Sequence, residues 1–199
     1  MKVMHAAILA GGLSTRMGSD KALLVVGGVP MLERMVRAAG EVCPEIIVVG
    51  RERPVYWPAE LAATFIPDAP GISGGPMAGL IAALEHTRAP VVLLACDLPL
   101  LTVGLLSQLI DAHDAQAPAT IATTIDEAGA VQVQPTFAIY SPEILPTLRE
   151  MAAANRRGLH RLIHTQGVRT WPVPPEFADQ LLNVNDAAGL AAAEARLQK

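Results

Sequence analysis

The segment Ala6-Ala7-Ile8-Leu9-Ala10-Gly11-Gly12-Leu13-Ser14-Thr15-Arg16-Met17-Gly18-Ser19-Asp20-Lys21 decides the fold. Its first five residues are uncharged and apolar, the length and character of a buried strand. They break at once into a loop carrying three glycines, Arg16 and Lys21. In an α/β sheet such a loop follows the carboxyl end of the first strand. Its backbone N–H groups can then approach an anion with no side chain in the way. The spacing fits neither the dinucleotide fingerprint GxGxxG nor a Walker loop. Two cations beside a glycine cradle suit a polyphosphate, Arg as a fork and Lys as a point charge. The chain has twelve Arg and three Lys, and its one interior Lys is Lys21.

Outward from this loop, apolar runs alternate with stretches of helical period. Pro30–Ala39 reads as a helix, Ile46–Val49 as a strand, and Thr64–Ile66 as a weaker strand. Gly75 and Pro76 open a helix reaching about Glu85, Val91–Ala95 is a strand, and Thr102–Ala112 a helix with Thr102 as its cap. That order predicts an α/β fold, a mostly parallel sheet with helices on both faces. Past residue 115 the pattern changes. Ala119–Ile125 and Val131–Tyr140 read as a β-hairpin inserted across Asp126–Gly129. Helices over Pro142–Ala153 and Gly158–Gln166, a short strand near Val168–Trp171 and an Asp186-capped helix to Leu197 follow. The proline clusters at 54–58 and 172–175 read as loops. There is no repeat or linker, so the expectation is one domain over 1–199, with a nucleotide-binding half to about 115 and an acceptor-binding half from about 116.

At 199 residues, 51% apolar and 17% charged, the chain can bury a core without staples and is not disordered. A net charge of −4 gives no general basic field for nucleic acid, and no apolar run is long enough to span a membrane. Cys43 and Cys96 lie in apolar surroundings with no ligand partner at zinc spacing and read as core residues. The apolar run at the start is too short for the core of an export signal. With two unpaired thiols, the expected location is the reducing cytoplasm. His160 and His164, four apart with no nearby carboxylate, read as surface residues.

Asp97 ends the uncharged run Val91–Cys96, at the sheet edge where ligands of α/β folds bind. A single carboxylate there, with phosphate oxygens, suits Mg²⁺. Asp68 and Gly75 stand in a second glycine-rich loop, DAPGISGGPMAG, able to reach a base or ribose. Asn183 and Asn185 fall on one side of a short extended segment by period two. Arg157, in the paired-Arg turn before Gly158, is a candidate for an acceptor phosphate.

LAGGLSTRMGSDK, GGVPMLERM, DAPGISGGPMAG, ACDLPL, QPTFAIY and NVND together resemble the molybdenum cofactor guanylyltransferases, a family with the nucleotide-diphospho-sugar transferase-like fold. The resemblance covers nearly the whole chain. It implies transfer of GMP from GTP to molybdenum-bearing molybdopterin, with release of pyrophosphate and with Mg²⁺ as cofactor. It places the nucleotide on Leu9, Ala10, Gly11, Gly12, Lys21, Asp68, Gly75 and Asp97, and the metal on Asp97. Arg16, Lys21 and Asp97 are the implied catalytic residues, with Arg157, Asn183 and Asn185 toward the acceptor. Implied partners are GTP, molybdopterin, molybdoenzymes and other cofactor-synthesis proteins. One departure stands out: where relatives place a nucleotide-contacting Asn, this chain has Gly50, followed by Arg51. Two other readings fit the residues: transfer of another nucleotide such as CTP or to a sugar phosphate, and a non-catalytic module that delivers nucleotide or cofactor.

Overall fold

The computed structural model describes residues 4–11, 20–72, 74–126 and 128–197. Strand β1 is His5–Leu9, and a small hairpin follows in β2 (Val25–Val26) and β3 (Val29–Pro30). Next come α1 (Met31–Gly40), β4 (Glu45–Val49), β5 (Thr64–Ile66), α2 (Gly75–Thr87), β6 (Val91–Ala95) and α3 (Val103–Ala112). The second half holds β7 (Ala119–Ile125), β8 (Val131–Tyr140), α4 (Leu145–Ala153), β9 (Arg169–Pro172) and α5 (Ala187–Leu197). The main sheet runs β5-β4-β1-β6-β8-β7-β9, with β5 and β9 as its edges. Strands β5, β4, β1 and β6 are parallel, β8 is antiparallel to both neighbours, and β9 is parallel to β7.

The central strands read as continuous apolar runs because both of their faces are covered. Period two still sorts them. Ala6 and Ile8 of β1, Ile46 and Val48 of β4, and Val92 and Leu94 of β6 meet α1 and α3 on one face. Ala7, Ile47, Val49, Val91 and Leu93 meet α2 and α4 on the other. Helix α1 buries Met31, Leu32, Met35, Val36 and Ala39 at helical spacing. Glu33 and Arg37 pair on its outer side at 2.7 Å, one turn apart. The α2 residue Gly79 lies against the sheet, where an added Cβ would collide with the Leu9 side chain.

The structure corrects the sequence reading at four places. Residues 142–153 are not one helix: Pro142–Ile144 forms a 3-10 turn before α4. Leu159–His164 is a 3-10 helix rather than an α-helix, a short element squeezed between Gly158 and Gly167. Pro175–Leu181, read in part as loop, is also 3-10. The hairpin of β2 and β3 was not expected; Gly27 and Gly28, both with positive φ (58° and 80°), make its two-residue turn.

Hairpin β7–β8 positions the second half. Strand β8 pairs with β6 only over Phe137–Tyr140, and its residues 131–136 run on past the carboxyl end of β6. The pairing with β7 shifts register between Ile121 and Ala122. That irregularity leaves the Pro135 carbonyl to be satisfied elsewhere, and the buried Tyr140 hydroxyl donates to it at 2.8 Å. Full burial holds the Tyr140 phenol far above its ordinary range.

Leu94, fully buried in β6, tests the central core. Leu94→Ala is expected to lower unfolding free energy by about 2–5 kcal/mol in urea titrations, the range for a leucine cavity that cannot collapse.

Candidate active site

Three parallel strands end side by side: β1 at Leu9, β4 at Val49 and β6 at Ala95, in register. The chain stays tied to the sheet for one residue beyond each. Ala10 N–H donates to the Val49 carbonyl at 2.9 Å, Cys96 N–H to Leu9 at 3.1 Å, and Gly50 N–H to Ile66 at 3.0 Å. Gly11, Gly50 and Asp97 therefore mark one carboxyl edge, and Asp68 stands two residues past β5 on the same edge.

Backbone space is the first constraint there. A Cβ on Gly11 would sit 2.9 Å from Gly50 Cα, and one on Gly50 would sit 2.7 Å from Gly11 Cα. Gly50 also has φ of +89°, which L side chains rarely adopt. Two chain crossings thus touch with nothing between them. A side chain at position 50, such as the Asn of the resembling family, has no room in this backbone.

Lys21 is the second. Asp20 Oδ1 accepts from Ala22 N–H at 3.1 Å and starts the 3-10 turn Lys21–Leu23. From that turn the Lys21 ammonium reaches Asp97 Oδ2 at 2.7 Å and Asn185 Oδ1 at 2.5 Å. Asp97 is also held by its backbone, whose carbonyl accepts from Val184 N–H at 3.0 Å. Val184 is fully buried between the two exposed amides, Asn183 and Asn185. Asn183 turns back, donating to the Leu181 carbonyl at 3.4 Å.

The remaining Asp97 oxygen, Oδ1, is buried and has no hydrogen-bond partner among the described residues. A lone carboxylate oxygen of that kind suits a hard cation. Among the described residues no three His, Cys, Asp or Glu side chains group to hold a metal. A cation here would draw its other ligands from phosphate and water, the habit of Mg²⁺ rather than zinc. The donor set fits the expected ion.

Asp68 is half-buried. Its Oδ1 lies 3.4 Å from where a Cβ would stand on either Gly50 or Gly79, so it sits between the end of β4 and the start of α2. Desolvation pushes its carboxyl above the usual range. Gly74 and Gly75, with φ of 52° and 83°, make the turn that opens α2 above it.

Arg51 resolves the departure noted in the sequence. It is directed to the loop, with Nη2 3.0 Å from Asp20 Oδ2 and Nη1 3.4 Å from Asp20 Oδ1. The sequence flagged Arg51 but not its partner; the signal was Asp20 itself, a capping residue type directly before Lys21. Arg157 is exposed in the turn following Asn155, whose φ is 55°. Gly12 and Arg16 lie outside the described residues. Cys43 and Cys96 are packed in the core cluster of α1 and α3, and burial pushes both thiols up to about 12. His160 and His164 are exposed, as expected.

Comparison with known proteins adds the frame. The model of a family described as a MobA-like NTP transferase domain matches residues 6–170. A molybdenum cofactor guanylyltransferase from Burkholderia vietnamiensis is 37% identical over 200 residues, covering 93% of this chain and 92% of its own. A probable molybdenum cofactor guanylyltransferase from Synechococcus elongatus is 35% identical over 193 residues, covering 90% and 92%. Among solved structures, molybdopterin-guanine dinucleotide biosynthesis protein A from Archaeoglobus fulgidus superposes with a TM-score of 0.80 at 23% identity, over 98% of this chain and 99% of that one. The 2-C-methyl-D-erythritol 4-phosphate cytidylyltransferase of Thermus thermophilus shares the fold at a TM-score of 0.69 and 20% identity, over 99% and 100%.

Two outcomes follow from this geometry. Gly50→Asn is expected to abolish nucleotide binding in calorimetry and to lower the melting temperature, since it meets backbone at 2.7 Å and positive φ together. Asp68 has its folded-state pKa raised, so protonation favours the fold and stability is lost as pH rises through that value. Asp68→Asn should therefore melt higher than wild type at pH 7, with the difference vanishing as pH falls below the ordinary carboxylate range.

Proposed function

The chain belongs to the MobA-like NTP transferase family, and from that premise we propose that it transfers GMP from GTP to the phosphate of molybdenum-bearing molybdopterin. The observation that carries the reading is the Lys21 ammonium seated on the strand-end Asp97. A half-buried Asp68 carboxylate stands on the same edge, past the end of β5, with β4 and β1 between it and β6. In the transfer, an acceptor phosphate oxygen forms a bond to the α-phosphorus while the bond from that phosphorus to the bridging oxygen breaks. The products are a pyrophosphate-linked dinucleotide and inorganic pyrophosphate. An acceptor phosphate is already ionised near pH 7, so no side chain has to create the nucleophile.

Each residue then has a task. Gly11 gives the phosphates close access to backbone, as does Gly12 in our reading, while Leu9 and Ala10 fix where the loop starts. Asp68 accepts from N–H or O–H donors of the nucleoside, and Gly75 with the opening turn of α2 lies along it. Lys21, with Arg16 in our reading, offsets charge building on the leaving pyrophosphate. Asp97 would hold Mg²⁺, which when bound supplies charge neutralisation on the phosphates. Asn185 steadies Lys21, and Asn183 and Arg157 are assigned to the acceptor. We assign residues to about 115 to the nucleotide and those from about 116 to the acceptor, where the β7–β8 hairpin passes the end of β6. The buried thiols accord with work in a reducing cytoplasm, and molybdoenzymes are the expected recipients.

The test is calorimetry of GTP with and without Mg²⁺, then pyrophosphate release over a panel of GTP, CTP, ATP and UTP with the molybdopterin acceptor. Strict GTP preference is expected; no Mg²⁺-dependent GTP binding would overturn the proposal. Asp97→Asn keeps the packing volume but not the charge. It should melt near wild type yet turn over at least about a hundredfold more slowly, the scale for removing one preorganised electrostatic element. Turnover at the normal rate would remove the metal from Asp97.

A further inference from the structure

The dipeptide Gly50-Arg51, directly after β4, touches both limbs of the glycine loop. On the outgoing limb Gly50 meets Gly11, backbone against backbone. On the returning limb the Arg51 guanidinium meets both carboxylate oxygens of Asp20, at 3.0 and 3.4 Å. The side chain of Arg51 is 15% exposed and that of Asp20 46%, so the held group is outside and the holder inside. An exposed ion pair with two mobile partners contributes little. Here one partner is already fixed, and a guanidinium fork on a carboxylate also constrains direction.

The same Asp20 carboxylate accepts from Ala22 N–H and so sets the start of the turn carrying Lys21. A displacement of Asp20 therefore becomes a displacement of the Lys21 stem. We propose that Arg51 is a positioning residue: by holding Asp20 it fixes the point from which Lys21 extends to Asp97 and to an incoming polyphosphate. Its contribution is preorganisation of a cation rather than a contact with the nucleotide. The proposal rests on the nucleotidyl-transfer reading above.

The experiment is a double-mutant cycle on GTP affinity, read by calorimetry with Mg²⁺ present, alongside melting temperatures. Lys21→Ala weakens GTP. Arg51→Ala weakens GTP about tenfold, the scale of one hydrogen bond to a charged group, with a near-wild-type melt. The Arg51→Ala/Lys21→Ala protein binds no more weakly than Lys21→Ala, because Arg51 acts through Lys21. Arg51→Lys recovers part of the loss, since an ammonium reaches Asp20 without the fork. If Arg51→Ala does not fold, Arg51→Gln takes its place in the cycle. Asp20→Asn, which retains the cap and drops the charge, must then match its loss. Losses that add in full, or an Arg51 variant that binds GTP like wild type while Lys21→Ala does not, overturn this proposal alone. Undiminished GTP binding by Lys21→Ala overturns the site reading and this proposal with it.

Discussion

One ammonium group joins three distant parts of the chain. Lys21 contacts Asp97, 76 positions on, and Asn185, 164 positions on. Neither acceptor is placed by local structure alone. Asp97 stands at the edge because β6 is buried between β1 and β8, and Asn185 because Val184 plugs into an apolar pocket with Val26, Met31 and Leu100. The cation is therefore at its carboxylate only when the sheet, the β2–β3 hairpin and the C-terminal segment have all assembled. Folding and site formation are one event at this point.

Much of the sheet was legible because buried parallel strands write themselves as short apolar runs. Val91–Ala95, Thr64–Ile66, Ala119–Ile125 and Val131–Tyr140 coincide with the observed strands. The caps were legible too: Thr102 Oγ1 accepts from Leu105 N–H, and Asp186 from Gly189 N–H. What failed was the class of the short elements. A 3-10 turn and a first turn of α-helix carry the same apolar spacing over six residues, and only the room left by neighbouring segments separates them.

The site was partly legible for a different reason. Its chemistry is concentrated at strand ends, so a charged residue closing an apolar run is conspicuous, as with Asp97, and glycines cluster where backbone must approach a ligand. Partnerships across the chain were not legible. Nothing in the sequence pairs Gly11 with Gly50 or Asp20 with Arg51, because those contacts arise from register between β1 and β4, which sequence order does not specify. The departure at position 50, where the resembling family carries Asn, is a steric requirement met by glycine.

The outermost strands have a bearing on how the molecule behaves in company. β5 is three residues long and is followed by Pro67; β9 is four residues long and ends in Pro172. A long, regular outer strand presents a row of unpaired N–H and C=O groups on which another chain can polymerise. Here each margin offers only a few, and proline removes a donor at the end of both. Strand addition is thus a poor route to self-association for this sheet. The margins act as guards against aggregation.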